Sequence, residues 1–340
     1  MFYKTRILNN DEHGTDEAAQ LLRDGKVVAI PTETVYGLAA DASNEQAVRG
    51  IFDAKNRPAD NPLIVHICSI SQLDTLAHDI PPQARRLAES LMPAPLTLVL
   101  PKRSVVPLVT SGGLETVGIR MPMNLTARKI IEKCGLPLAA PSANRSGYPS
   151  PTSAMHVYRD MRGRIPAIVD DGECAIGIES TVVSFDADGT VRILRPGFIT
   201  REDLLHFADS VVIDKNVTEE VAPDTMVASP GMKYKHYSPK ADVFLLEGSY
   251  DSFRNYLKLK ADCNDYALLF DNDVNEKPLF PYLTYGSNAI ENAHQVFSKL
   301  RELDELGAKR IFVRCPEKTG VGLAVYNRLI RAAGFKLIEL

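Results

Sequence analysis

The 340-residue sequence predicts a two-domain α/β protein, a mixed-sheet domain followed by a small parallel, doubly wound one. Three observations predict it. The length exceeds what a single hydrophobic core usually serves. Short apolar runs and amphipathic stretches are interspersed through residues 1–208. An aperiodic stretch from Glu219 to Ala241 with three prolines then precedes a regular strand–helix alternation. The expected boundaries are 1–208 for the first domain, 209–240 for a linker and 241–340 for the last domain.

In chain order, TDEAAQLLRDG reads as a helix with Thr15 as N-cap and Gly25 past its end. VVAIP reads as a strand ending at Pro31. Ser43 and Gln46 fit a capping box, opening a helix whose Ala47, Ile51, Phe52 and Ala54 share a face and which ends near Lys55. In KNRPADNPLIVHI, residues 55–67, the run Leu63, Ile64, Val65 and Ile67 is a core strand, and two prolines hold the loop before it extended. PLTLVLP, TVGIRMP, LPLAAP, PAIVDDG, STVVSF and VRILRP are further strands, with helices around 82–91, 125–134, 153–162 and 201–207. After the linker, DVFLLE, YALLF and RIFVRCP alternate with helices near 249–260, 287–306 and 320–334.

Bulk composition narrows the function. Hydrophobic content of 45% and charged content of 24% are ordinary for a soluble globular protein. A net charge of -4 supplies no global attraction to nucleic acid, although a local basic cleft is compatible with it. Cys68, Cys134, Cys174, Cys263 and Cys315 lie far apart, which is neither a disulfide framework nor a zinc signature, and no metal-ligand cluster stands out. MFYKTRILNNDEHG lacks the apolar core of a signal peptide, and no run approaches the roughly 20 apolar residues of a membrane span. A cytoplasmic location without membrane contact is expected.

The polar residues that stand out gather at strand ends, where open α/β sheets bind ligands. PTETVYGLAAD puts Thr32, Glu33, Thr34 and Tyr36 after the first core strand, with Gly37 permitting close backbone approach. Lys55 and Arg57 offer a point charge and a planar fork for phosphate oxygens, and Asn61 adds an amide. His66 is inside the following strand. TSGGLETVGIR places Gly112 and Gly113 before Thr116, and Arg120 at a strand end, where it suits a carboxylate. LAAPSANRSGYPSPT carries Ser142 and Asn144 into a helix beginning near Ser153, a pattern suited to phosphate but distinct from a P-loop. GIESTVVSF adds Ser180 and Thr181, and ILRPG adds Arg195. Any one of these could be a solvated loop; together they predict a site for an anionic ligand.

PTETVYGL, KNRPADNPLIVHI, TVGIR, APSANRSGYPSPT, ESTVV and ILRPG, in this order, resemble the YrdC-like domain of threonylcarbamoyl-AMP synthases over about residues 14–200. SPGMKYKHYSPKA and the domain after it resemble the long, two-domain branch of that family. The resemblance implies a YrdC-like mixed twisted sheet with an open cavity, a linker covering the active site, and a small C-terminal Rossmann-like parallel α/β domain. It implies that L-threonine, bicarbonate and ATP, with Mg2+ carried by ATP, become threonylcarbamoyl-AMP and pyrophosphate. The adenylate would then be used by downstream threonylcarbamoyl-transfer proteins to modify adenosine in tRNA; direct contact of this chain with tRNA stays open. By position, Thr34, His66, Arg120, Ala140 and Ser180 match L-threonine contacts. Lys55, Arg57, Asn61, Thr116, Ser142, Asn144, Ser150 and Arg195 match nucleotide contacts, and Tyr237, beside His236, would cap the nucleotide. Lys55 and Arg57 are the expected catalytic cations, His66 is the candidate general base, and no protein metal ligands are implied. Two other readings are an RNA-binding module of the same fold without catalysis, and carbamoyl transfer through a carbamoyl-adenylate. The sequence offers no RNA-binding signature for the first, and lacks the acylphosphatase-like region and zinc-type cysteines of the second.

Overall fold

The computed structural model describes residues 2–59, 61–219, 237–274 and 278–340. They divide into two compact units. Described residues up to Ser146, Pro151–Ala175 and those from Glu179 to Glu219 form the first; Gly147–Ser150, Ile176–Ile178 and those from Tyr237 onward form the second.

The first unit is built on β1 (Arg6–Asn9), β2 (Val28–Ile30), β3 (Gly37–Asp41), β4 (Ile64–His66), β5 (Leu96–Pro101), β6 (Thr116–Arg120), β7 (Leu138–Ala139), β8 (Ala167–Asp170), β9 (Thr181–Phe185), β10 (Val191–Arg195) and β11 (Val211–Ile213). They form one mixed sheet in the order β1-β8-β2-β3-β7-β4-β6-β5-β9-β10-β11. β11 runs parallel to β10, so the sheet continues past residue 208, and 211–213 are strand where linker was expected. The alternation of apolar residues in VVI is too short to show this in the sequence. β3 was likewise masked by the polar residues before it.

Two helix starts also differ from expectation. The first helix is Glu12–Arg23, capped by Asp11, whose carboxylate accepts from Gly14 N at 2.8 Å; the Thr15 hydroxyl instead bonds back to Asp11 O and Glu12 O. The next is Glu45–Lys55, and Asn44 rather than Ser43 is its cap, accepting from Gln46 and Ala47 N. In both cases an Asx side chain, one turn before Thr15 or one residue after Ser43, supplies the better-placed acceptor.

Strand register decides which face carries chemistry. Ile64, Val65 and His66 of β4 pair with Gly118, Ile119 and Arg120 of β6, and β5 places Val99 against Gly118 and Leu98 against Ile119. β9 places Val182 beside Thr97. Because side chains alternate along a strand, Val65, Ile119, Leu98 and Val183 point into the main core, with Ile51, Leu87 and Leu204 from the helices. Ile64, His66, Gly118, Arg120, Thr97, Val99 and Val182 share the opposite face. That face is covered at β2, β3 and β7 by Glu12–Arg23 and Leu125–Cys134, whose Ala18, Leu22, Ile130 and Ile131 pack on Val28, Ala39 and Leu138. Toward β4, β5, β9 and β10 it bears, among the described residues, a small apolar patch of Ile64, Val99, Val182 and Leu194, on the same face as His66, Thr97 and Arg120.

The second unit has β12 (Asp242–Glu247), β13 (Asp265–Leu269), β14 (Tyr282–Thr284), β15 (Arg310–Arg314) and β16 (Leu337–Glu339), in the order β14-β13-β15-β12-β16. Every pairing is parallel. Helices Tyr250–Lys260, Ala289–Glu305 and Gly320–Ala332 connect the strands, as the alternation predicts. No helix among the described residues is long and apolar enough to cross a membrane.

Candidate functional site

One polar cluster is centred on Arg120, 4% exposed at the end of β6. Its Nη1 donates to the Thr34 hydroxyl at 2.9 Å, and its Nη2 to Glu33 Oε1 at 2.6 Å, a buried ion pair. Its Nε is buried with no partner among the described residues. Hydrogen-bond polarity can be followed outward. Thr32 donates to Val35 O at 2.6 Å, so in its 2.8 Å contact with the Thr34 hydroxyl Thr32 is the acceptor and Thr34 the donor. Thr34 therefore gives its proton to Thr32, accepts from Arg120, and has one lone pair left. Among the described residues this corner thus keeps one unused N–H donor on Arg120 and one unused acceptor on Thr34, both enclosed by the fold. Glu33 also lines a cavity of about 210 Å³ together with Tyr36, Asn124, Asp171, Glu173 and Cys174.

His66 is next to Arg120 in the register and is 3% exposed. Burial, and then the Arg120 charge, lower its pKa from 6.5 to about 3, against hydrogen bonds to the Ile64 and Leu138 backbone that pull it up. A base whose conjugate acid titrates there takes up almost no proton at neutral pH, which argues against His66 as the general base. The same shift has a stability consequence. The unfolded chain binds a proton near 6.5 that the folded chain refuses until about 3, so the stabilisation is complete above 6.5 and is lost as pH falls between the two. Denaturant unfolding between neutral pH and about pH 5 should show a slope of up to about 1.4 kcal/mol per unit from this residue. His66→Asn should flatten the curve; an unchanged slope would show that other groups set it.

A second cluster surrounds Lys55, the last residue of its helix and 2% exposed rather than in a solvated loop. Asn56 turns the chain with φ 51°. The Lys55 ammonium donates to Ser142 O, to Asn144 O at 2.8 Å and to Asn144 Oδ1 at 3.4 Å. Burial, reinforced by the Arg57 charge, depresses its pKa well below the ordinary lysine range. The loop it holds is sewn to the sheet by Leu38 N to Pro141 O, Ala143 N to Tyr36 O and Ala140 N to Ile64 O. Ser142 Oγ donates to Asn144 Oδ1. Arg57 is half-buried, with Nη2 3.3 Å from Asn61 O and its guanidinium over Phe52 at 5.9 Å. Asn61 is 1% exposed, and neither polar atom of its side-chain amide has a partner among the described residues. Gly112, at φ 61°, lies so close to the Asn61–Pro62 peptide that a Cβ would fall 2.7 Å from Pro62 N. Glycine is needed there for the chain's own packing.

A third cluster joins Ser180 to Arg195. Arg195 Nε donates to Ser180 O and Nη2 to Ser180 Oγ, both at 3.1 Å, while Thr97 Oγ1 is 2.8 Å from the same hydroxyl. Thr116 opens β6, half-buried. Ser150 and Tyr237 fall in the second unit. There Tyr237 is buried, its ring 5.2 Å from Phe297 and its face 5.7 Å from the Arg328 guanidinium. His236 lies outside the described residues. Glu33 stands among the polar residues that the sequence sets apart but carries no assigned role there, and Thr97 is not among them. Glu33 was visible only as a carboxylate in a polar turn, and Thr97 had no signal inside an apolar strand.

Residues 20–197 match the family model described as telomere recombination, and residues 199–334 match the model for the threonylcarbamoyl-AMP synthase C-terminal domain. A curated threonylcarbamoyl-AMP synthase from Pyrococcus abyssi is 46% identical over 328 residues, 95% of each chain. This chain belongs to the threonylcarbamoyl-AMP synthase family. The Bacillus subtilis family member is 42% identical over 98% of this chain and 97% of its own. The crystal structure of P. abyssi Sua5 complexed with L-threonine is similar with a TM-score of 0.92 at 43% identity, covering 98% of this chain and 99% of that one. The match over nearly full length bears out the two-domain branch of the synthase family and its mixed-sheet plus parallel-sheet architecture.

Proposed function

We propose that the protein is a nucleotidyltransferase that condenses L-threonine, bicarbonate and ATP into threonylcarbamoyl-AMP, releasing pyrophosphate. The observation that carries this reading is the buried pairing of an unpartnered guanidinium N–H on Arg120 with a spare acceptor on Thr34. An α-amino acid presents the complementary set, a carboxylate and an ammonium. Ser180, oriented by Arg195 and Thr97, would meet its remaining polar atoms, with His66 and Ala140 forming the wall.

The threonine amine loses a proton and attacks carbon dioxide, or bicarbonate with expulsion of water, which makes a carbamate. A carbamate oxygen then attacks the α-phosphorus of ATP, and pyrophosphate leaves. Neither step requires a protein nucleophile; both require alignment and cations facing the growing phosphate charge. Lys55 would hold the Ser142–Asn144 loop; bound phosphates would favour its charged form against the burial that depresses its pKa, and it would then act on them with Arg57 and Arg195. Magnesium arrives as part of the ATP substrate. The nucleotide assignments of Thr116, Ser150 and Tyr237 rest on the family resemblance. The adenylate would serve tRNA modification by other proteins.

Asn61 makes the nucleotide assignment testable. A buried amide with two unpaired ends destabilises the free protein, and a ligand would satisfy it. Asn61→Leu, of similar volume, should raise the stability of the ligand-free protein by about 1–3 kcal/mol while weakening ATP binding about tenfold or more. Calorimetric ATP titration beside thermal melting checks both, and unchanged ATP affinity would remove Asn61 from the site.

The activity itself is tested by incubating the protein with ATP, labelled bicarbonate and a panel of amino acids. A labelled adenylate and pyrophosphate release that depend on L-threonine are expected. Salt-sensitive tRNA binding without turnover would instead favour the non-catalytic RNA-binding reading.

A further inference from the structure

Glu33 has no part in the assignments above, yet it is the residue most tightly bound to Arg120. Its carboxylate is 2.6 Å from Nη2, and the two side chains are 7% and 5% exposed. Its other oxygen faces Asn124 N at 3.4 Å, and Asn124 is itself fastened by capping Leu125–Cys134 and by donating to Asp171 at 2.7 Å. The carboxylate is therefore held on both sides by the fold. Asp171 and Glu173 line the cavity that Glu33 also lines, so the groups there are acidic as well.

This placement sets the charge of the pocket. Arg120 alone would make it a general carboxylate site. With Glu33 bound to it the pair is neutral, and a ligand meets a fixed negative charge beside the positive one. We infer that Glu33 is a specificity-determining residue that makes the Arg120 pocket select a zwitterion and reject a simple carboxylate anion. The inference rests on the reading that this pocket takes L-threonine. Attraction of the ligand's ammonium and repulsion of its carboxylate both come from Glu33, and both act at short range away from water, where charge interactions are strong. An anion without the ammonium gains nothing to offset the repulsion.

The test compares L-threonine with 3-hydroxybutyrate, the same molecule without its amino group. The KM for L-threonine and the inhibition constant for 3-hydroxybutyrate are measured in the wild type, Glu33→Gln and Glu33→Asp. Glu33→Gln should narrow the preference for L-threonine about tenfold or more, and Glu33→Asp, which keeps the charge, should retain most of it. A general loosening of the fold would weaken both ligands together and leave the ratio unchanged; that result would overturn the inference. So would an equal loss of preference in Glu33→Asp. If Glu33→Gln does not fold, the wild type still decides: it should bind L-threoninamide, a cation, more tightly than 3-hydroxybutyrate, and the reverse order would overturn the inference. Wild-type protein that releases no pyrophosphate with L-threonine would overturn the functional reading beneath it, whereas a threonine-active enzyme blind to the Glu33 charge would overturn this inference alone.

Discussion

Lys55→Ala is expected to lower kcat for threonine-dependent pyrophosphate release about 100- to 1,000-fold. The loss has two sources. One is the charge itself, next to Arg57 and within reach of the Ser142–Asn144 loop. The other is that loop's anchoring, since the ammonium bonds two of its backbone carbonyls and the Asn144 amide oxygen. Removing the lysine leaves those acceptors buried and unpaired, which should destabilise the protein by about 1–3 kcal/mol. A lysine in a solvated loop would contribute to turnover without supporting the fold. Lys55, at 2% exposure, is now expected to do both. Steady-state kinetics and thermal melting of the same preparation separate the two effects. Turnover within threefold of wild type would exclude Lys55 from the chemistry.

The second large effect is on stability. Arg120→Ala leaves the Glu33 carboxylate in a site where it is 7% exposed, with its cation gone. Breaking a buried pair from one side typically costs about 3–5 kcal/mol, much more than losing a surface ion pair. By contrast, Arg120→Met with Glu33→Gln removes both charges and should recover most of that loss. Urea unfolding of the single and double variants measures it. A single variant less destabilised than about 1 kcal/mol, or a double variant no better than the single one, would mean that the pair is not what holds this corner together.

The candidate site was legible to different depths for identifiable reasons. Thr34, Lys55, Arg57, Arg120, Ser142, Asn144, Ser180 and Arg195 stood out because polar groups next to core strands are unusual and their motifs are ordered along the chain. Their partners were not legible. Arg120 and Glu33 are 87 positions apart, and Lys55 meets Asn144 across 89. Such contacts depend on strand order, in which β7 lies between β3 and β4, and sequence proximity carries no trace of it. Helix caps failed for a local reason: Thr15 and Ser43 were plausible acceptors, but Asp11 and Asn44 were better placed.

The two α/β units, the family, and the residues able to bind phosphate or carboxylate are legible along the chain, because apolar periodicity and side-chain chemistry are properties of the chain. Only the tertiary structure decided how those residues are used: that His66 is held neutral, that Asn61 is buried without partners among the described residues, and that Glu33 balances Arg120. Charge state and hydrogen-bond satisfaction are set by which groups folding brings within a few ångströms and removes from water, and that information exists only once distant strands have paired.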